Sequence, residues 1–147
     1  MKFKHTLKTL VSTLFLSLML TGCLGITQPT EENVTELTLA YFDQQFADLF
    51  TAEKIVKKNG YKDGDGRYIA EIVITANAQR SLEEYATFLM ESQNISPLEK
   101  IQRGMKIGLL KITLPPFKSG DPIQFERNYL FIKSDNGWLL KKEILQD

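Results

Sequence analysis

The segment Lys62-Asp63-Gly64-Asp65-Gly66 constrains this chain more than any other. Two glycines and two aspartates in five residues interrupt regular structure and favour a chain reversal. On either side the sequence reads as strand, over 53–61 before it and 67–77 after it. In the second segment Tyr68, Ala70, Ile72, Ile74 and Ala76 alternate along one side, the period of a strand with one buried face. An antiparallel hairpin is therefore expected, and it commits the domain to an antiparallel sheet. The same Asp-Gly-Asp-Gly run imitates the middle of a calcium-binding helix–loop–helix. Its first ligand position would be Tyr61 and its twelfth Ile72, so two required oxygens are absent. A hairpin turn is the better reading.

Helices are expected on both sides of the hairpin. Asn33 and Glu36 have the spacing of an N-cap and its reciprocal partner, which predicts a helix from about Asn33 to Phe50. Leu39, Phe42, Phe46, Leu49 and Phe50 form one stripe and are expected to meet the sheet. Val34, Leu37 and Tyr41 fall nearly opposite, as a second packing face or a partner surface. Ser81-Leu82-Glu83-Glu84 is a capping box, predicting a second helix over 82–92 with Leu82, Tyr85, Phe88 and Leu89 inward. Glu83 and Glu84 suit the positive end of that helix better than a paired-carboxylate site. Ser96-Pro97-Leu98-Glu99 starts a short third helix with Leu98, Ile101 and Met105 inward. Lys100, Arg103 and Lys106 make a small basic patch on it, a solvated face or a contact for anionic lipid head groups.

The last third reads as three strands, over 106–114, 123–133 and 138–145, with Asp135-Asn136-Gly137 turning between the final two. Phe125, Tyr129 and Phe131 share a face of one, and Trp138, Leu140 and Ile144 a face of the next. The expected order is α-β-β-α-α-β-β-β: an α+β domain with a single antiparallel sheet of about five strands packed against helices. A leading helix, a curved sheet and a closing Asp135-Asn136-Gly137-Trp138 hairpin resemble the cystatin-like and nuclear-transport-factor-two-like lipoprotein domains. The resemblance implies a fold and no activity. The two helices between the second and third strands depart from that pattern.

The N-terminus speaks to location. Lys2, Lys4 and Lys8 precede an apolar run over 9–20, and Thr21-Gly22 precede Cys23, the only cysteine. The run is about a dozen residues, whereas a membrane span needs roughly 20. Leu20-Thr21-Gly22-Cys23 resembles the lipobox of bacterial lipoproteins. That resemblance implies removal of residues 1–22, lipid on the Cys23 sulfur, a short tether over 23–32 and a single domain over 33–147. Each buried methylene of such an anchor contributes about 0.8 kcal/mol, so release into water is negligible. Leu24, where an Asp would resemble an inner-membrane retention signal, implies the periplasmic face of the outer membrane in a Gram-negative cell. In a Gram-positive cell the anchor would be the outer face of the plasma membrane.

Composition excludes several function classes. The chain has 18 basic and 18 acidic side chains. Three of the lysines belong to the leader, leaving 15 against 18, too few for a nucleic-acid binder. The single histidine, His5, also lies in the leader. The remainder has no histidine and no free cysteine, so zinc sites and Ser-His-Asp or Cys-His catalysis are not expected, nor is any cofactor.

The function these features favour is a non-enzymatic envelope lipoprotein, a protein-interaction or assembly module that binds another envelope protein or a surface component. Phe117, in the loop Pro115-Pro116-Phe117-Lys118-Ser119-Gly120-Asp121-Pro122, and Tyr41 and Leu37 on the first helix are its candidate contacts. Phe117 has a second reading, as a lid folded back over the sheet edge. The alternatives are a carrier of a small hydrophobic ligand, with a pocket lined by Tyr85, Phe88, Tyr129 and Trp138, and an immunity or inhibitor lipoprotein against an envelope-directed toxin.

Overall fold

A computed structural model describes residues 27–91 and 94–145. The leader and Cys23 lie outside the described residues. The element order is α1 (Glu31–Phe46), β1 (Phe50–Lys62), β2 (Arg67–Ala78), α2 (Leu82–Met90), α3 (Pro97–Thr113), β3 (Pro122–Ser134) and β4 (Gly137–Ile144). The four strands form one antiparallel sheet in the order β1-β2-β3-β4. The domain is α+β as expected, with four strands rather than five.

The difference lies in one segment. Residues 106–114 alternate weakly enough to read as strand, but they are the second half of α3. Ile107, Leu110 and Leu114 recur at helical spacing, and Leu110 is buried. A capping box at Ser96, with Pro97 in the first turn, starts the helix, and Lys106–Thr113 contains no proline, so the helix runs through Gly108. The third helix is therefore long, and its expected inward residues Leu98, Ile101 and Met105 face solvent instead.

The first helix is capped three residues before the expected Asn33. Thr30 is the N-cap, and its hydroxyl accepts a hydrogen bond from the Asn33 backbone N–H at 3.1 Å. The Asn33 side chain accepts one in return from the Thr30 N–H, satisfying two helix-end donors. The helix ends at Phe46, so Leu49 and Phe50 belong to the turn and to β1.

The hairpin forms as the sequence predicts. Gly64 and Gly66 both take positive φ, and Asp63 closes the turn by accepting from the Arg67 guanidinium at 2.7 Å. β1 carries two register shifts, between Ala52 and Lys54 and between Lys57 and Asn59, which coil this lysine-rich edge strand. Gly60 has a steric reason to be glycine. A Cβ there would lie 2.5 Å from Cζ of the buried Tyr68 ring.

The core lies between α1 and one face of the sheet. Tyr68, Ala70, Ile72, Ile74, Ala76 and Ala78 of β2 supply its floor, beside Ile123, Phe125, Tyr129 and Phe131 of β3. Val34, Thr38 and Phe42 come down from α1. Phe42, Phe46, Phe50, Phe117 and Phe125 stack as one aromatic cluster with centroids 5.0–6.0 Å apart. Each such pair contributes about 0.5–1.5 kcal/mol beyond its burial. At the start of α1, Lys57 of β1 forms an ion pair with Glu31 and places its ammonium 5.9 Å from the Tyr68 ring centre.

The helix pair α2–α3 fills the excursion between β2 and β3. It leaves and returns at one point, because Ala78 donates to the Asp121 carbonyl at 2.9 Å and Gly120 donates back to the Ala78 carbonyl at 2.7 Å. Arg103 donates to the Leu89 carbonyl and holds the two helices together. Lys106 donates to the Gln45 carbonyl at 3.0 Å and so docks α3 on the end of α1. The pair thus sits where α1 ends, and the N-terminal segment enters at the other end of α1.

Candidate groove between the helix pair and the proline loop

One groove on the surface is built by three local devices. The first is the capping box of α2, where Ser81 and Glu84 exchange hydrogen bonds of 2.7 and 3.2 Å. It sets the helix so that Leu82, Glu83 and Ala86 line one wall. The second is the last part of α3, which supplies Ile107 and Lys111, with Leu114 at its C-cap. The third is the loop that follows, Pro115-Pro116-Phe117-Lys118, which forms the rim. Together they enclose a groove of about 660 Å³.

The rim is stiff. Two prolines fix its φ angles. Asp121 accepts from the Lys118 N–H at 2.8 Å and donates its own N–H to the Lys118 carbonyl at 3.1 Å. Gly120 supplies the positive φ that this turn needs. Ser119 donates to the Gln79 carbonyl at 2.9 Å, tying the loop to the base of α2. Phe117 turns back rather than out: its ring meets Phe50 at 5.2 Å and packs on the core. The folded-back reading of Phe117 therefore describes its side chain, while the loop still borders an open surface. Lys111, Lys118 and Glu83 place charges around an otherwise apolar lining.

The other contact candidates are half-buried. Tyr41 meets Tyr129 edge-on at 5.5 Å, and Leu37 packs against the core cluster. The sheet-facing stripe of α1 runs through Val34, Leu37, Thr38, Tyr41 and Phe42, so the two stripes expected to be opposite share one face. Leu39, expected inward, is exposed. Leu37 also lines a shallower cleft of about 520 Å³ with Asn33, Glu36, Asn136 and Trp138, between α1 and the β3–β4 turn.

The four residues expected to line a carrier pocket are dispersed. Tyr85 is buried, with Lys106 5.6 Å above its ring. Phe88 is exposed and carries the Arg80 guanidinium on its face at 4.3 Å. Tyr129 is buried in β3 beside the 2.9 Å ion pair of Arg127 and Glu143. Burial, then the Glu143 carboxylate, pushes the Tyr129 phenol far above its ordinary value, against a smaller opposing pull from Arg127. Trp138 sits in β4 at the α1 cleft.

In the calcium-like turn, the Asp63 carboxylate is engaged by both Nε and Nη2 of Arg67. Among the described residues, no group of three or more His, Cys, Asp or Glu is arranged to hold a metal ion. No helix among the described residues is long and apolar enough to cross a membrane. Compared with known proteins, the chain matches no family model, no curated protein and no solved structure. The groove was only half legible in the sequence. The proline loop was visible, but its opposite wall required α3 to continue through residues 107–114.

Proposed function

We propose that this chain is a lipid-anchored bacterial envelope lipoprotein without enzymatic activity, acting as a protein-interaction or assembly module. Its groove between α2, α3 and the proline loop receives an apolar segment of another envelope protein. The observation that carries this reading is the pinned rim: a stiff, hydrogen-bonded loop beside an open, largely apolar trough. A preformed edge lowers the ordering cost of binding. The charged residues at its margin would orient the incoming segment. The lipobox-like tetrad ending at Cys23 supports the anchor. The dispersal of Tyr85, Phe88, Tyr129 and Trp138 favours the groove over a carrier pocket.

The test is crosslinking in the intact envelope with a C-terminal affinity tag, comparing the natural chain with Ala86→Arg. The substituted side chain would fill the groove wall without touching the main core. A dominant crosslinked protein that disappears in Ala86→Arg supports the reading. The same partner at the same yield in both removes the groove from it. Mass spectrometry of the purified chain for lipid on Cys23 tests the anchor separately.

A further inference from the structure

The helix α3 has two apolar faces. Arg103, Lys106, Ile107 and Leu110 point toward the rest of the domain, through the contacts with Leu89, Gln45 and the groove and through burial of Leu110. On the other side Leu98, Ile101, Met105, Leu109 and Ile112 are 61–85% exposed. At 100° per residue these five fall within about 80° of arc, roughly opposite the docked face. Five large apolar side chains in one continuous exposed stripe are more than scattered surface residues account for.

The charge around the stripe indicates what covers it. The helix carries Lys100, Arg103, Lys106 and Lys111 against a single acid, Glu99. Lys100 and Lys111 lie together on one exposed flank, about 80–100° beyond the edge of the stripe, with Lys111 also at the lip of the groove. A net-cationic helix with an exposed apolar face and lysines on one flank suits a position in the plane of an anionic bilayer. The anchor can bring it there. Extended, residues 23–30 reach about 28 Å. The 16-residue α1 that separates their attachment point from α3 is about 24 Å long.

We infer that the outward face of α3 lies on the surface of the anionic membrane to which the chain is tethered, forming a second attachment that fixes the domain's orientation. This rests on the lipid-anchor reading for how the domain is brought to the membrane, and on the exposed stripe and its cations for the contact. The groove lies on the other side of α3 and stays open to the aqueous space.

The test uses residues 23–147 carrying Cys23→Ser, which contain every described element and the whole core. They are mixed with vesicles of phosphatidylglycerol and phosphatidylethanolamine, and with phosphatidylcholine vesicles. Binding to the anionic vesicles is expected, weakening as salt is raised. The pair Ile101→Glu and Ile112→Glu should lower it at least tenfold, with far-UV circular dichroism unchanged. Lys100→Gln with Lys111→Gln should erase the preference for anionic over zwitterionic vesicles. Absence of binding, or equal binding by the Glu pair, overturns the inference. A dimer in sedimentation that the Glu pair dissociates, without vesicle binding, gives the stripe to a second copy and also overturns it. If Cys23 proves unlipidated while these vesicle results hold, the anchor reading falls and the membrane face of α3 stands.

Discussion

Replacing Gly60 by alanine tests how tightly the hairpin is closed on itself. The new Cβ would lie 2.5 Å from Cζ and 2.9 Å from Cε1 of Tyr68 and would overlap its hydroxyl. The ring has little room to retreat, since Tyr68 is 3% exposed. Overpacking of this kind costs about 1–3 kcal/mol. Against it stands the gain from restricting the unfolded chain, about 0.4–1 kcal/mol, because Gly60 is not among the positive-φ glycines. The net expectation is a loss of about 1–2 kcal/mol. In a Tyr68→Leu background the aromatic ring is gone, so Gly60→Ala should be neutral or stabilising by about 0.5 kcal/mol. The coupling between the two sites is then about 2 kcal/mol. Urea unfolding of the four variants, followed by fluorescence of the single tryptophan Trp138, measures each term. If the two substitutions add without coupling, or if Gly60→Ala stabilises the natural chain, the steric account of this glycine is wrong.

Three further outcomes follow from buried or capping groups. The Thr38 hydroxyl is buried and has no hydrogen-bond partner among the described residues, so Thr38→Val should stabilise the domain by about 1 kcal/mol in thermal melts. Glu84 and Glu99 are held below the ordinary 4.5, first by the backbone N–H of Ser81 and Ser96 and then by the serine hydroxyls. Their contribution is present above the unfolded carboxylate value and lost as pH falls through the folded one. The first turns of α2 and α3 should therefore fray in acid, and Glu84→Gln with Glu99→Gln should flatten that loss of circular dichroism at 222 nm. The raised Tyr129 phenol acts at the other end of the scale: its contribution is present below the ordinary value of 10.0 and lost as pH rises above it. Alkaline unfolding should start at higher pH in Tyr129→Phe, which denaturant midpoints measured across that range would show.

What the sequence disclosed depended on how local each signal was. The hairpin turn, the Ser81 and Ser96 boxes and the alternation of β2 are written within a few residues, and all formed where expected. The start of α1 was displaced because Thr30 and Asn33 form a box in which Asn replaces the usual acid. The strand expected over 106–114 failed because isoleucines and leucines three or four apart can also be scanned at spacing two. Only the buried Leu110 against the exposed Leu109 and Ile112 settles the period. The four aromatic residues expected to line a carrier pocket lie apart for a different reason. Which aromatic side chains meet is decided by long-range packing, and Tyr129 found Tyr41 while Phe88 found Arg80.

The closure of the chain at Ala78 and Asp121 has a consequence for how such a domain can change over time. Strands β2 and β3 would be neighbours whether the excursion between them held two helices or a tight turn, because the two hydrogen bonds at its neck complete the ladder. The sheet behaves as a socket and residues 79–121 as an exchangeable head. Lengthening or trimming that head away from Tyr85, Leu110 and Phe117, which pack into the shared core, would alter what the domain touches while leaving the strand pairings in place. Transplanting the head onto another antiparallel meander should carry the groove and the exposed stripe only where the host supplies counterparts of Phe50 and the Gln45 carbonyl.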